Sequence, residues 1–169
     1  MRGFPDLPPV WWLGAMLLIH GASRALPGWH VAHPILDALG WLVVVVALAL
    51  IAWSGIWFWR KRTPIEPHHV PKALIVEGPY RLSRNPIYLA LVLLTLGAAA
   101  GQGSALGVAL AAGLWWVLDR RFARVEEALL LRSFGAEAEA YLAATRRWVC
   151  CWKSAGLSRI RHKCTDKLP

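Results

Sequence analysis

Ile35-Leu36-Asp37-Ala38-Leu39-Gly40-Trp41-Leu42-Val43-Val44-Val45-Val46-Ala47-Leu48-Ala49-Leu50-Ile51-Ala52-Trp53-Ser54-Gly55-Ile56-Trp57-Phe58-Trp59 runs directly into Arg60-Lys61-Arg62. Asp37, near its start, is the one charged residue before the basic triplet. A helix needs roughly 20 apolar residues to cross a bilayer core of about 30 Å. This stretch exceeds that length, and its centre from Trp41 to Ile51 is apolar all round, as a helix surrounded by lipid should be. Working outward, no charge falls between Leu7 and Ser23, which gives a first span over roughly Pro9 to Ser23. Arg2 is followed by Asp6 and two prolines without a small-residue cleavage site, so this first run reads as a retained span and not as a signal peptide. Gly21, Pro27, Gly28 and Pro34 punctuate the short connection to the second span.

Downstream, Pro64, Pro67, Pro71 and Pro79 exclude a long helix, and Ala73–Val76 is expected to be extended. From Pro86 to Leu118 there is again no charge. As one helix that run would reach about 50 Å, too long for a modest tilt. Gly101-Gln102-Gly103-Ser104 supplies a turn near its middle, so it divides into two helices that return to the starting side. From Asp119 to about Thr145 the pattern becomes amphipathic, with Phe122, Val125, Leu129, Leu130 and Phe134 at helical spacing. Gly135 is a natural interruption. The fold expected is an all-α polytopic membrane bundle of about four transmembrane helices. Residues 1–149 form one domain and 150–169 a basic tail.

The chain has 19 Lys and Arg against 10 Asp and Glu, unevenly placed. Residues 60–84 carry six basic side chains, and the segment after Leu118 carries eleven, whereas the first interspan loop has only Arg24. Cytoplasmic loops are enriched in Lys and Arg, so the 60–84 loop and both termini are expected in the cytoplasm. This charge borders apolar spans, where anionic headgroups attract it; the bilayer is the expected partner, and nucleic acid is not. Several of the eleven Trp residues sit beside span ends, as in interfacial belts. Cys150, Cys151 and Cys164 all fall in the tail. An odd count on a reducing side argues against disulfides. The adjacent pair lacks the spacing of a zinc site, so no metal is expected.

Two segments carry polar groups that an anchor would not need. Glu77-Gly78-Pro79-Tyr80-Arg81-Leu82-Ser83-Arg84-Asn85-Pro86-Ile87-Tyr88 places hydroxyl, guanidinium and amide groups at the mouth of the third span. Arg120-Arg121-Phe122-Ala123-Arg124-Val125-Glu126-Glu127 places two carboxylates close to the end of the fourth. Headgroup-binding residues and a solvated helix face with i, i+3 and i+4 ion pairs are the plainer readings of these segments. Carboxylates so close to hydrocarbon need partners, and a cationic ligand would be one.

These residues resemble the superfamily of integral membrane methyltransferases that includes isoprenylcysteine carboxyl methyltransferases and phospholipid methyltransferases, above all its short bacterial members. Thr63-Pro64-Ile65-Glu66-Pro67-His68 is similar to the family's Thr-x-x-Asn-Pro-His motif. The stretch from Ala73 to Leu89 is close to its Gly-Pro-Tyr-Arg signature. Glu126-Glu127 with Leu130, Phe134-Gly135 and Tyr141 is similar to its C-terminal motif, and Arg146-Arg147-Trp148 fits the short form. Three positions depart: Glu66 replaces Asn, Asn85 stands where many members have His, and Ala138 replaces Tyr. The resemblance implies transfer of a methyl group from S-adenosyl-L-methionine to a lipophilic acceptor, either the carboxylate of an isoprenylcysteine-like substrate or a lipid amine, at the bacterial inner membrane. It implies a cofactor site of His68, Leu74, Val76, Gly78, Tyr80, Asn85, Pro86, Tyr88 and Glu127, with Arg84, Asn85 and Glu127 as the catalytic group. No residue stands out as a general base, and a carboxylate acceptor would not need one. Gly101-Gln102-Gly103 resembles a Gly-x-Gly cofactor motif of the phospholipid enzymes, but it falls on the far side and reads as a turn. Two other readings stand beside this one. A membrane sterol reductase resembles the superfamily in its C-terminal half, and a non-catalytic partner would keep the fold alone.

The charge asymmetry makes a topological prediction. Reporter fusions after Lys61 and after Arg147 should both report the cytoplasm, and a split result would contradict the four-span topology.

Overall fold

The structure is a computed structural model that describes residues 6–25, 31, 33–62 and 73–148. His68, Glu66 and the cysteine-bearing tail lie outside the described residues. Six α-helices follow in order: α1 (Pro8–Ala25), α2 (Pro34–Lys61), α3 (Pro86–Gly101), α4 (Ala105–Val117), α5 (Arg124–Phe134) and α6 (Ala136–Ala144). A 3-10 turn, Gly78–Arg81, precedes α3, and a π-helical segment, Leu118–Ala123, joins α4 to α5. Among the described residues there is no strand; Leu74–Val76, expected to be extended, lacks regular secondary structure.

The helix ends follow local chemistry. The side chain of His33 caps α2 by accepting from the amide of Ile35, and Pro34 fills its first turn, where a missing N–H costs nothing. Pro86 opens α3 in the same way. The turn read at 101–104 is present: Gln102 and Gly103 reverse the chain, and the Ser104 hydroxyl accepts from the amide of Gly107 to start α4. α2 is 28 residues long, and it alone among the described helices is long and apolar enough to cross a membrane by length and composition. Its outward surface exposes Trp41, Leu42, Val45, Val46, Leu48, Trp53, Ile56 and Trp59. α1, α3 and α4 are shorter, at 18, 16 and 13 residues.

The helices alternate in direction. At one end, Asp6 before α1 pairs with Arg121 beyond α4 at 3.2 Å, and Lys61 at the end of α2 meets Glu77 before α3 at 2.6 Å. At the other end, the amide of Val31 donates to the carbonyl of Gly103, so the start of α2 lies against the α3–α4 turn. Leu91, Leu94, Leu114, Leu118 and Phe122 form the core between them. α2 and α3 approach closely through small residues, the usual way apolar helices pack without a hydrophobic drive between them. A Cβ on Gly40 would lie 2.6 Å from the carbonyl oxygen of Gly97, and one on Gly97 would lie 2.8 Å from the carbonyl oxygen of Gly40.

The C-terminal third differs from the sequence pattern at one point. Gly135 does separate α5 from α6, but the stretch from 119 is not a regular amphipathic helix. The π segment inserts an extra residue into the turn, so the pairing there is Asp119 with Arg124, five positions apart at 2.8 Å, in place of the expected three- and four-residue spacings. Phe122 is buried as expected, whereas Val125 is 40% exposed and no residue of α5 is fully buried. The same rotation turns Glu126 and Glu127 towards the mouth of α3.

The glycine contact carries a prediction. Gly97→Ala should cost about 1–3 kcal/mol through overpacking of backbone against backbone. Gly113→Ala, where an added Cβ meets nothing within 4 Å, should not destabilise. Thermal unfolding of both variants in detergent checks the contrast, and equal melting temperatures would contradict the tight α2–α3 seam.

Candidate functional site

The polar groups singled out from sequence converge where the alternating helices bring the ends of α2 and α4 against the start of α3. Gly78 opens the 3-10 turn with φ of +59°, and a side chain there would collide with the Trp57 indole of α2, 1.9 Å from the new Cβ. Only glycine meets both conditions. That contact seats Tyr80, which is buried, edge-on to Phe58 at 5.9 Å and beside the hydroxyl of Ser54. Tyr141 of α6 is also buried and donates its hydroxyl to the Tyr80 carbonyl at 2.8 Å. Burial pushes the phenols of Tyr80 and Tyr141 well above the ordinary range. Tyr88, one turn into α3, lies 6.1 Å from Phe122 of the π segment and donates its hydroxyl to Glu126.

The two neighbouring carboxylates have opposite surroundings. Glu127 is held by Arg84 at 2.8 Å and by two hydrogen bonds from Arg147, at 2.8 and 2.7 Å. Burial alone would raise its carboxyl, but the Arg147 hydrogen bonds and the Arg84 charge outweigh it and hold the group below the usual carboxylate range. Among the described residues, Glu126 is met only by the Tyr88 hydroxyl. Burial dominates there and raises its carboxyl to about 7.

Arg84 is a tie between three segments. It donates to the carbonyls of Thr145 and Leu142 as well as to Glu127, and its amide donates to Arg146. Asn85 donates its side-chain amide to the Arg147 carbonyl at 3.2 Å, and Ser83 donates to the same carbonyl at 3.0 Å. Arg147 also reaches Asp119 at 3.1 Å, and Asp119 accepts from the Trp148 indole at 3.0 Å. The residues expected to form the catalytic group, Arg84, Asn85 and Glu127, are therefore together, bound to one another or to the segment after α6. Of the expected cofactor residues, Gly78, Tyr80, Asn85, Pro86, Tyr88 and Glu127 share this region. Leu74 and Val76 approach it on the preceding segment, with Leu74 buried. His68 lies outside the described residues. Sequence reasoning did not assign roles to Asp119, Arg147, Trp148 or Ser83. Glu126 was legible as a carboxylate close to hydrocarbon that needs a partner and as part of a motif, without a place among the expected site residues. The available signal was an acid and a base, Asp119 and Arg147, each within three residues of a Trp.

The antiparallel apolar bundle thus gathers carboxylates, guanidinium groups and tyrosines at one end. Comparison with known proteins makes the assignment specific. The chain belongs to the phospholipid methyltransferase family, whose family model matches residues 35–137, so the resemblance read from its motifs holds. No curated protein matches. Among solved structures, the chain is similar to a eukaryotic intramembrane Ras methyltransferase, isoprenylcysteine carboxyl methyltransferase, with a TM-score of 0.64 and 17% identity. The match covers 86% of this chain and 53% of that one, so this chain aligns with about half the length of its structural neighbour. At that identity the likeness concerns the fold.

The contrast between the two glutamates predicts opposite effects of one substitution. Glu126 binds its proton more tightly in the folded than in the unfolded chain. Its contribution is therefore present at acid pH and lost as pH rises from the ordinary carboxylate range through about 7. Glu126→Gln should leave the melting temperature unchanged near about pH 5 and raise it at about pH 8. Glu127 is shifted the other way, so its contribution is present at neutral pH and lost on acidification. Glu127→Gln should cost about 2 kcal/mol or more at neutral pH, because two guanidinium groups lose their counter-charge. Melting curves at the two pH values check both signs.

Proposed function

We propose that the protein transfers a methyl group from S-adenosyl-L-methionine to a lipophilic acceptor, either a lipid amine or the carboxylate of an isoprenylcysteine-like substrate. Transfer takes place at the cytoplasmic edge of a bacterial inner membrane. The bundle spans the bilayer four times with both termini inside, and the acceptor approaches laterally from the bilayer. The observation that carries the reading is the convergence of the Gly78–Tyr88 segment with Glu126 and Glu127, in a chain of a methyltransferase family.

The residues fit such a cofactor. A sulfonium carries a fixed positive charge, which is favoured near aromatic faces and carboxylates. Tyr88, Tyr80 and Phe122 supply the first and Glu126 the second. In this reading Leu74, Val76, Gly78, Tyr80, Pro86 and Tyr88 line the cofactor, together with His68, which the family motif assigns there. Arg84, Asn85 and Glu127 form the frame that holds the 3-10 turn against α5. When bound, the cofactor supplies an electrophilic methyl group. The chain's own contribution is to hold the acceptor in line with it and to exclude water, which accounts for most of the gain in such transfers.

Titration of S-adenosylhomocysteine into the purified, detergent-solubilised chain should show saturable binding, and NADPH should show none. Labelled methyl from S-adenosyl-L-methionine should also enter a lipid-soluble product in a host membrane extract. Binding of neither nucleotide would contradict the methyl-transfer reading and favour a non-catalytic partner, whereas binding of NADPH alone would favour a reductase.

A further inference from the structure

We propose that Glu126 is the acid–base residue of the transfer, taking a proton from an acceptor that arrives as an ammonium ion, with Tyr88 as its hydrogen-bond partner. The inference rests on the methyl-transfer reading above and assigns that site a residue role and an acceptor charge.

The guanidinium groups around the site are already compensated. Arg84 and Arg147 are bound to Glu127, and Arg124 and Arg147 to Asp119. The groups facing Glu126 are uncharged: the Tyr88 hydroxyl of α3 donates to it, and the Tyr80 phenol of the 3-10 turn lies near it, with Ser54 of α2 beyond. Tyr141 of α6 directs its hydroxyl to the Tyr80 carbonyl. Among the described residues no cationic side chain pairs with Glu126. Among the described residues its ionised form therefore has no counter-charge, a state that is costly beside apolar helices unless a ligand supplies one. Two adjacent carboxyl groups whose surroundings drive their proton affinities apart are the usual signature of divided roles, one for structure and one for proton transfer. Here Glu127 is the structural member.

An ammonium ion is attracted by this site but cannot attack, because its nitrogen has no free electron pair. Transfer of one N–H proton to a Glu126 carboxylate oxygen leaves that electron pair on nitrogen. The nitrogen then forms the N–C bond to the methyl group as the S–C bond of the sulfonium donor breaks, and that bond's electrons return to sulfur. The products are a methylated ammonium ion, a neutral thioether and a proton on Glu126, which passes to water. A carboxylate acceptor needs no such step and would be repelled by an ionised Glu126.

The test uses the full chain in lipid nanodiscs with dodecylamine and dodecanoate as acceptor probes, labelled S-adenosyl-L-methionine as donor, and S-adenosylhomocysteine as a binding probe. Wild type should methylate the amine, at a rate that rises with pH as Glu126 loses its proton and then levels off. Glu126→Gln should lower amine turnover by about a hundredfold or more, the usual contribution of a positioned base. Its affinity for S-adenosylhomocysteine, whose sulfur is uncharged, should stay unchanged, which shows that the site is intact. The protein loaded with S-adenosylhomocysteine should bind dodecylammonium roughly tenfold or more weakly after the substitution, through loss of a charge-assisted hydrogen bond. Glu126→Asp should recover part of the turnover. Amine turnover by Glu126→Gln within about threefold of wild type, against the loss expected for a base, would overturn the proposal, as would a preference of wild type for dodecanoate. If neither probe is methylated, the binding arm decides, and equal dodecylammonium affinity in both proteins overturns it. Failure of wild type to bind S-adenosylhomocysteine is a different result, and it overturns the methyl-transfer reading itself.

Discussion

The bridge of Arg84 and Arg147 across the Glu127 carboxylate is the interaction on which the rest of the site depends. Arg84 belongs to the turn before α3, Glu127 to α5 and Arg147 to the segment after α6, the first pair 43 positions apart and the second 20. Apolar burial does little to fix α5 and α6 over the mouth of α3, since α5 has no fully buried residue and α6 buries only Ala138 and Tyr141, so polar contacts hold them: this bridge and the Tyr141–Tyr80 and Tyr88–Glu126 hydrogen bonds. Charged hydrogen bonds of this kind contribute about 1.5–3 kcal/mol each, comparable to burying a large apolar side chain. A cap that gains little from hydrophobic burial can therefore be held by a few of them. Removing one partner leaves the others uncompensated, which makes the bridge a single unit.

Register makes the bridge reachable. The π segment from Leu118 to Ala123 adds a residue to the helix that leaves the bundle, and such segments recur where a helix must re-aim functional side chains. Val125 is consequently turned to solvent while Glu126 and Glu127 both face the tyrosines and arginines of the α3 mouth. The two carboxylates then diverge: one meets two guanidinium groups and the other a phenol in an apolar setting. Their different proton affinities follow from neighbours and burial, with no difference in residue type.

Most of the architecture was legible in the sequence. Charge-free runs gave the four apolar helices to within a few residues, and the Gly101–Ser104 turn, the prolines at helix starts and the break at Gly135 each followed from local backbone chemistry. The motifs identified the family and brought Arg84, Asn85 and Glu127 into one set. Two features were not legible. Leu118-Asp119-Arg120-Arg121-Phe122-Ala123 contains nothing that distinguishes a π turn from an α turn, so the inward face was assigned one step out of phase at Val125. The Arg84 and Arg147 partners of Glu127 were not legible, because a contact across a folded bundle leaves no local trace. Arg147 was visible only as part of a family motif.

The central claim is that two adjacent glutamates ionise in different ranges because one is neutralised by arginines and the other is not. Infrared titration of the carboxyl band, in wild type and in the two Gln variants, tests it directly. The account predicts one carboxyl group that loses its proton near about pH 7, absent in Glu126→Gln and retained in Glu127→Gln. A wild-type protein with no carboxyl titrating near neutrality, or a neutral-range band lost with Glu127 and kept without Glu126, would contradict it.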